Sequence, residues 1–421
     1  MANLKSFYHL ILAFLGSVIF RCPSRRLFMV GVTGTKGKST VIELINAILE
    51  KAGKKTALFS SVRKKICDRE SKNISGNTMP GRFVIQEFLR EAVKAKCEYA
   101  LIEVTSQGVL QHRHKFIDWD AAIFINLAPE HIEAHGSFEK YRDAKVEFFK
   151  YLNKSKKEIK YFFINEEDSN HHYFEEVVKN VPGGKIIFFS RERFIKEDLW
   201  SHYDLNSKES RCLIGEWLVA DFNLENASAA VAFARSRNIN WNIIKEALEN
   251  FKGVPGRLEF VQKSPFAVVI DYAHTPDSLK KVYETLEPSS FSPRSVGKMI
   301  CVLGSAGGGR DKWKRAEMGK IAATYCDKII LTNEDPYDEN PADILKQIEN
   351  GFLEAPRSRS KPENYFKILD RRKAIKKAIS LAQKGDVVVI TGKGSEQFIH
   401  LERGKKISWN ERKTVEGALK S

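Results

Sequence analysis

Beginning at Leu27, strand-length apolar runs exchange with helix-spaced segments, and few architectures accept that rhythm. Leu27–Val32 reads as a buried strand. Val41–Ala52 has helical apolar spacing and stops at Gly53, a good C-terminal cap. Tyr99–Val104, Ala121–Asn126, Tyr161–Asn165 and Lys185–Phe189 continue the series. This pattern predicts an α/β domain with a mainly parallel sheet. Glycine and proline cluster at Gly253–Gly256, and a second series follows there. Its strands are expected at Ala267–Asp271, Lys298–Leu303, Lys328–Thr332 and Asp386–Thr391. Trp313–Thr324 and Arg371–Ala382 are expected helices, and Leu353–Glu363 an exposed loop. The expected division is an apolar helix over residues 1–26, a phosphate-loop domain over 27–253, and a Rossmann-like α/β domain over 254–421.

Between the first strand and the first helix stands Gly31–Thr40 (GVTGTKGKST). Glycines let backbone N–H groups close around phosphate oxygens, and the following helix N-terminus adds partial positive charge. Lys38 can reach the β and γ phosphates, and Ser39 or Thr40 can ligate Mg²⁺. Val32 stands where the strict pattern has its first glycine. Without its strand–helix context the segment would be an ordinary glycine turn.

Basic residues exceed acidic ones by 69 − 53 = +16. A nucleic acid, an anionic membrane or a strongly anionic small substrate would each suit that excess. No nucleic-acid motif and no aromatic–basic alternation accompanies it, so no nucleic-acid partner is expected. The six cysteines are scattered without a Cys-x-x-Cys pair, which argues against a zinc ribbon and a disulfide framework and fits a reducing cytoplasm. Phe7–Phe20 is apolar except for His9 and Ser17; Arg21, Arg25 and Arg26 follow, and Met1–Val30 contains no acid. Fourteen helical residues span about 21 Å, short of a hydrocarbon core about 30 Å thick. Two expectations stand side by side: a helix in the membrane interface, or one packed on the next domain.

Thr33–Thr40 resembles the phosphate loop of the Mur ligases. Further segments resemble the same family in the same order: Glu103–Arg113 (EVTSQGVLQHR), Asn126–His135 (NLAPEHIEAH), Tyr141–Lys145 (YRDAK), Phe222–Asn226, Gly253–Arg257, Asp271–Pro276, Gly308–Asp311 and Gly392–Glu396. The resemblance runs from about Leu27 to the C-terminus. It implies an ATP-dependent amide-bond ligase that activates a carboxylate as an acyl phosphate, which an amino acid's amine then attacks. Metal ions and lysines are the natural answer to so anionic a site.

The resemblance assigns roles by position. Gly34, Thr35, Lys36, Gly37, Lys38, Ser39 and Thr40 would hold ATP, with Asn226, Arg257, Asp271 and His274 as further nucleotide contacts. Two Mg²⁺ sites would use Ser39, Glu103, His131 and a carbamylated Lys145; Lys38, Glu103, His131 and Lys145 are the expected catalytic set. Arg257 and Arg315 would neutralise phosphate charge. Asn77–Pro80 partly resembles the stretch that holds the muramoyl-dipeptide in the branch adding the third amino acid, with Met79 in place of a threonine. Asn77, Thr78, Thr105, Gln111 and Arg113 would therefore contact UDP-N-acetylmuramoyl-dipeptide or a related muropeptide. Arg310, Gly392 and Glu396 align with amino-acid contacts.

Two departures stand out. Only about thirty residues precede the loop, too few for the family's uridine-nucleotide-binding domain. Uridine recognition is then lost, supplied elsewhere, or made unnecessary by a lipid-linked donor. Glu334–Tyr337 (EDPY) stands where diaminopimelate-adding members have Asp-Asn-Pro-Arg, and tyrosine cannot make arginine's charged fork to a carboxylate. An anionic Glu334, Asp335 and Glu396 cluster, with Tyr337 beside it, suits lysine, and diaminopimelate stays open. Rival readings are a folylpolyglutamate- or cyanophycin-type ligase and a non-catalytic, membrane-tethered nucleotide-binding scaffold. The expected location is the cytoplasm, with peripheral membrane contact through residues 7–20 left open.

Overall fold

The computed structural model describes residues 2–74, 77–130, 132–196, 203–288, 297–355, 359 and 364–420, with side chains from Ser6 onward. The chain divides into two compact units. One comprises Met1–Asn206 and Asp221–Phe251, the other Ser207–Ala220 and Lys252–Ser421. The N-terminal helix thus belongs to the first unit, and the short segment Ser207–Ala220 to the second.

The first unit is built on an eight-stranded sheet. Its strands are β1 (Phe28–Thr33), β2 (Thr56–Phe59), β3 (Arg63–Ile66), β4 (Arg69–Lys72), β5 (Tyr99–Glu103), β6 (Ala121–Phe124), β7 (Lys160–Asn165) and β8 (Gly184–Phe189), in the order β4-β3-β2-β5-β1-β6-β7-β8. From β2 to β8 all neighbours are parallel, and β3 and β4 extend the edge as an antiparallel hairpin. The central parallel strands are buried and mainly apolar, as expected where helices cover both faces. Met29, Ala57, Ile102, Trp119, Phe124, Phe148, Phe149 and Phe162 share one core. Strand β1 lies between β5 and β6, so the chain order reverses there and a crevice opens beyond the strand ends. The register Val32↔Glu103 brings the end of β5 level with the start of the loop after β1.

The second unit has a six-stranded sheet of β9 (Glu259–Gln262), β10 (Ala267–Ile270), β11 (Met299–Leu303), β12 (Lys328–Leu331), β13 (Tyr365–Lys367) and β14 (Val387–Ile390), in the order β13-β12-β11-β14-β10-β9. Only β9 is antiparallel to its neighbour. Val268, Ile300, Ile330, Ala374, Ile375 and Val388 form its centre. The first unit's hairpin and the edge strands β9 and β13 were not expected: they are short and carry little apolar pattern. Most of the loop expected at Leu353–Glu363 lies outside the described residues; Asn350–Glu354 is a short 3-10 helix.

One cysteine expectation is corrected. Cys301, in β11, and Cys326, two residues before β12, are disulfide-bonded with Cα atoms 6.0 Å apart, within the usual span. The two chain positions meet because β11 and β12 are paired, a proximity that sequence spacing does not display.

Candidate active site

The segment Gly34–Gly37 leaves β1 and turns into the helix Lys38–Lys51. At Gly37 the turn needs φ +86°, and a Cβ there would stand 2.2 Å from Asn226 Oδ1. Both facts select glycine. Asn226 is buried in the helix Asp221–Ser236 and donates to Asn223 Oδ1 at 2.9 Å. Asn126 braces the other side: its side-chain oxygen accepts from the backbone N–H groups of Thr35 and Lys36 at 3.2 and 3.0 Å. Thr35 Oγ1 lies 3.1 Å from Tyr141 OH.

Lys38 folds back on its own loop, donating to the carbonyls of Gly34 and Thr35 at 2.9 and 3.0 Å. Lys36 pairs with Glu130 at 2.9 Å. Lys145, from the helix Phe138–Leu152, reaches the same place and donates to Gly34 O at 2.8 Å. It is buried, and burial together with the nearby Lys38 and Lys36 holds its pKa well below the usual lysine range, against a weaker pull from Glu130. A buried amine whose charged form is disfavoured therefore touches the phosphate loop.

Glu103, at the end of β5, is buried. Its Oε1 accepts from Ser39 Oγ and from the backbone N–H of Ser61, each at 2.7 Å. Ser61 Oγ lies 2.8 Å from Ser39 Oγ. Among the described residues no ion pair engages this buried carboxylate. A buried anion held only by hydroxyl and amide donors, with hard oxygens around it, fits Mg²⁺. His131 lies outside the described residues, so its expected place beside Lys145 carries no geometry. Thr40 is buried one residue further into the helix.

The run after Glu103 forms a second group. Thr105 caps the short helix Ser106–Leu110 by accepting from Gly108 N at 3.0 Å, a structural use of a residue expected to contact substrate. Arg113 donates to Gln111 Oε1 at 3.1 and 2.8 Å, to Asn77 Oδ1 at 3.4 Å, and to Met79 O. Burial and the neighbouring Arg82 lower its pKa. Asn77, Gln111 and Arg113 therefore meet, with partly buried Thr78 beside them in the chain.

Sequence reasoning passed over two residues near the first group. His135 Nε2 lies 3.1 Å from Ser106 Oγ, and its ring packs edge-on against Tyr141. Burial and Lys145 keep its pKa low. The signal was present, since His135 ends the segment Asn126–His135. Ser61 had no signal, lying in an unremarked turn before β3.

In the second unit Glu334, Asp335 and Glu396 do gather, but the expectation of a purely anionic cluster is corrected. Lys393 sits inside it, donating to both Asp335 oxygens at 2.9 Å and to Glu396 Oε2 at 2.5 Å. Burial and then Asp335 push the Glu334 pKa up to about 7, with Lys393 and Arg371 pulling the other way. Its Oε2 is buried without a hydrogen-bond partner among the described residues. Gly392, at φ +106°, makes room for it: a Cβ would be 2.5 Å from that oxygen. Glu396 also accepts from Tyr272 OH at 2.8 Å, and Arg257 stacks on the Tyr272 ring at 4.0 Å. Tyr337 stacks on the His400 ring, with centroids 5.1 Å apart, and bonds Arg310.

Asp271 spends its oxygens on the backbone N–H groups of Leu258 and Ala273, both at 2.7 Å. His274 Nδ1 lies 2.7 Å from Tyr272 O. These two and Arg257 belong to the second unit, whereas Asn226 touches the loop itself. Arg315 is a correction: it is fully buried among Glu339, Gln347 and the Ala306 carbonyl, as an internal strut rather than a phosphate contact.

A phosphate loop at the reversal point of a parallel sheet, with a second α/β unit carrying its own charged cluster, defines a two-unit α/β ligase architecture. The Mur ligase middle domain matches residues 32–234, and the Mur ligase glutamate ligase domain residues 256–394. The UDP-N-acetylmuramoyl-L-alanyl-D-glutamate–2,6-diaminopimelate ligase of Syntrophomonas wolfei is 35% identical over 419 residues, covering 97% of this chain and 81% of that protein. Its Aquifex aeolicus counterpart is 34% identical over 406 residues, covering 95% and 79%. A solved structure of a UDP-N-acetylmuramoyl-L-alanyl-D-glutamate–2,6-diaminopimelate ligase superposes with TM-score 0.58 at 26% identity, covering 94% of this chain and 78% of that one. The Mycobacterium tuberculosis folylpolyglutamate synthase reaches TM-score 0.68 at 15% identity over 91% and 92%, a likeness of fold alone. The chain belongs to the Mur ligase family.

Proposed function

We propose that this ligase joins an amino acid with a second amine, lysine or diaminopimelate, to UDP-N-acetylmuramoyl-dipeptide as the third residue of the peptidoglycan peptide. Mur ligases use ATP and Mg²⁺, and the two units divide that work: the phosphate-loop domain activates the donor, and the C-terminal domain holds the amino acid. The single observation that carries this reading is the run Glu103–Arg113. It sets a metal-fit carboxylate beside Ser39 and the phosphate loop, and soon afterwards Gln111 and Arg113, which gather with Asn77. The donor's carboxylate would lie between the two groups. Arg113 suits its anionic end through a two-pronged hydrogen bond.

Lys38 now bonds its own loop, and turning it onto the γ-phosphate would exchange those carbonyls for phosphate oxygens. Mg²⁺ held by Ser39 and Glu103 would offset phosphate charge. Lys145 would act as its carbamate. Its neutral amine nitrogen bonds the carbon of CO₂ and loses one proton, leaving an anion among Lys36 and Lys38 where a second Mg²⁺ would be held, with His131. In the C-terminal domain the free Glu334 oxygen would accept from the amino acid's ammonium group, and Arg310 would hold its carboxylate. Tyr337 stacked on His400 would replace an arginine as the wall of the distal site.

A scaffold reading has no use for a buried lysine packed against the loop. The working place is the cytoplasm. The test is phosphate release from ATP with UDP-N-acetylmuramoyl-dipeptide and a panel of amino acids. Release that needs both the dipeptide and lysine or diaminopimelate supports the reading; release with folate and glutamate, or none at all, overturns it.

A further inference from the structure

The N-terminal helix Ala2–Ile19 has two unlike faces. The inner one is made of small residues. Ala13 and Ser17 are buried, and Gly16 lies on the helix Arg82–Lys94, where a Cβ would stand 3.4 Å from Arg82 O and 3.7 Å from Phe83 Cα. Ser6 Oγ lies 2.8 Å from His112 Nε2, and the Phe14 ring meets Phe116 edge-on. The helix is therefore a fixed part of the first unit. One of the two expectations is met, and the other gains a defined surface.

The outer face is apolar from Phe7 to Ile19. Phe7, Ile11, Phe14 and Val18 form one stripe at helical spacing, and each is 39–59% exposed. Tyr8, Leu15 and Ile19 form a second stripe beside it, 41–60% exposed. No charged residue interrupts either stripe, and exposed Arg21, Arg25 and Arg26 follow at the helix end. So large a contiguous apolar face marks an interaction surface.

We propose that this face docks on an anionic lipid bilayer, lying flat in the interface. Three observations choose that occupant. No described helix is long and apolar enough to cross a membrane, so the surface mode fits. Arg25 pairs with Asp118 at 3.3 Å, but exposed Arg21 and Arg26 meet no acid among the described residues, and anionic headgroups supply the complement. A second copy paired through this face would bring two arginine-tipped helices together without a carboxylate on either. Because Ser6 bonds His112, between Gln111 and Arg113, docking also fixes how the donor group faces the bilayer; that last point rests on the proposed function, whereas the docking itself does not.

The experiment is co-sedimentation of the full chain with phosphatidylglycerol-containing vesicles and with pure phosphatidylcholine vesicles. The triple variant Phe7→Gln, Ile11→Gln, Val18→Gln serves as comparison, and circular dichroism and size-exclusion chromatography are run on both. The expected result is binding to the anionic vesicles, about tenfold weaker on phosphatidylcholine, and weakened about tenfold or more in the variant, which stays folded and monomeric. A charge-reversed pair, Arg21→Glu with Arg26→Glu, should lose the lipid preference while keeping the fold. Three results overturn the proposal: indifference of the full chain to anionic vesicles; a full-chain dimer that the triple variant dissolves, which assigns the face to a second copy; or equal binding by both chains. Ligase turnover in vesicle-free buffer reports separately on the proposed function.

Discussion

Replacing Gly37 by alanine tests whether the phosphate loop depends on the contact seen around it. The residue sits at φ +86°, and a methyl group would meet Asn226 Oδ1 at 2.2 Å. Holding a non-glycine residue in left-handed backbone costs about 1–2 kcal/mol. The methyl also drives the Asn226 amide away, breaking its 2.9 Å bond to Asn223, at about 1 kcal/mol. The sum is about 2–3 kcal/mol, so a fluorescent ATP analogue should bind about 30- to 150-fold more weakly. The two terms separate in a cycle with Asn226→Ala. Truncating Asn226 removes the clash but not the strain, so alanine at 37 should cost about 1 kcal/mol less in that background. Equal costs in both backgrounds would show that Asn226 does not press on the loop, and the reasoning would fail.

Three further outcomes follow from the site's electrostatics. Lys38→Ala should abolish ATP turnover while leaving the far-ultraviolet spectrum unchanged, since the loop rests on glycine and on Asn126 rather than on the lysine charge; full turnover in a folded variant would remove the lysine from the chemistry. In bicarbonate-free buffer Lys145→Met should raise the melting temperature near neutral pH: the folded pKa is depressed, so between it and the ordinary lysine value the unfolded chain binds the extra proton and native stability climbs with pH, and the gain should shrink as pH rises. In bicarbonate the same variant should be inactive, with partial rescue by a short-chain carboxylic acid. Glu334 is the opposite case: its pKa is raised to about 7, so the folded state binds the extra proton above pH 4.5 and stability falls as pH rises from there to 7. Glu334→Gln should flatten that slope in thermal melts, and an unchanged slope would contradict the burial argument.

Much of the fold was legible because local signals agree with it. The central strands and the loop after β1 follow from apolar runs, glycines and a lysine at fixed offsets, all within one stretch of chain. Glu103 was legible as the last residue of a strand beside that loop. What escaped depends on partners far away in sequence. Nothing in the YRDAK segment says that its lysine will be buried against Gly34 O beside two more lysines, which is what lowers its pKa. Lys393 stands next to Gly392 in a motif that was read, yet its pairing with Asp335 spans 58 positions, and so the cluster was taken for bare anion. Arg315 was expected to neutralise phosphate charge, and only packing reveals the strut it forms with Glu339 and Gln347. The N-terminal helix could have been read further: alanine, glycine and serine at 13, 16 and 17 mark a close-packing face, as small residues do wherever helix backbones approach.

The central claim is that the donor's carboxylate is activated as an acyl phosphate on the phosphate-loop domain. The most direct measurement uses UDP-N-acetylmuramoyl-dipeptide carrying ¹⁸O in its terminal carboxylate, with ATP and the amino acid that supports turnover, and reads the released inorganic phosphate by mass spectrometry. The account predicts that one ¹⁸O passes from the carboxylate to phosphate in each turnover, with ADP as the other product. Phosphate free of ¹⁸O while amide bonds form, or AMP and pyrophosphate in place of ADP, would contradict it.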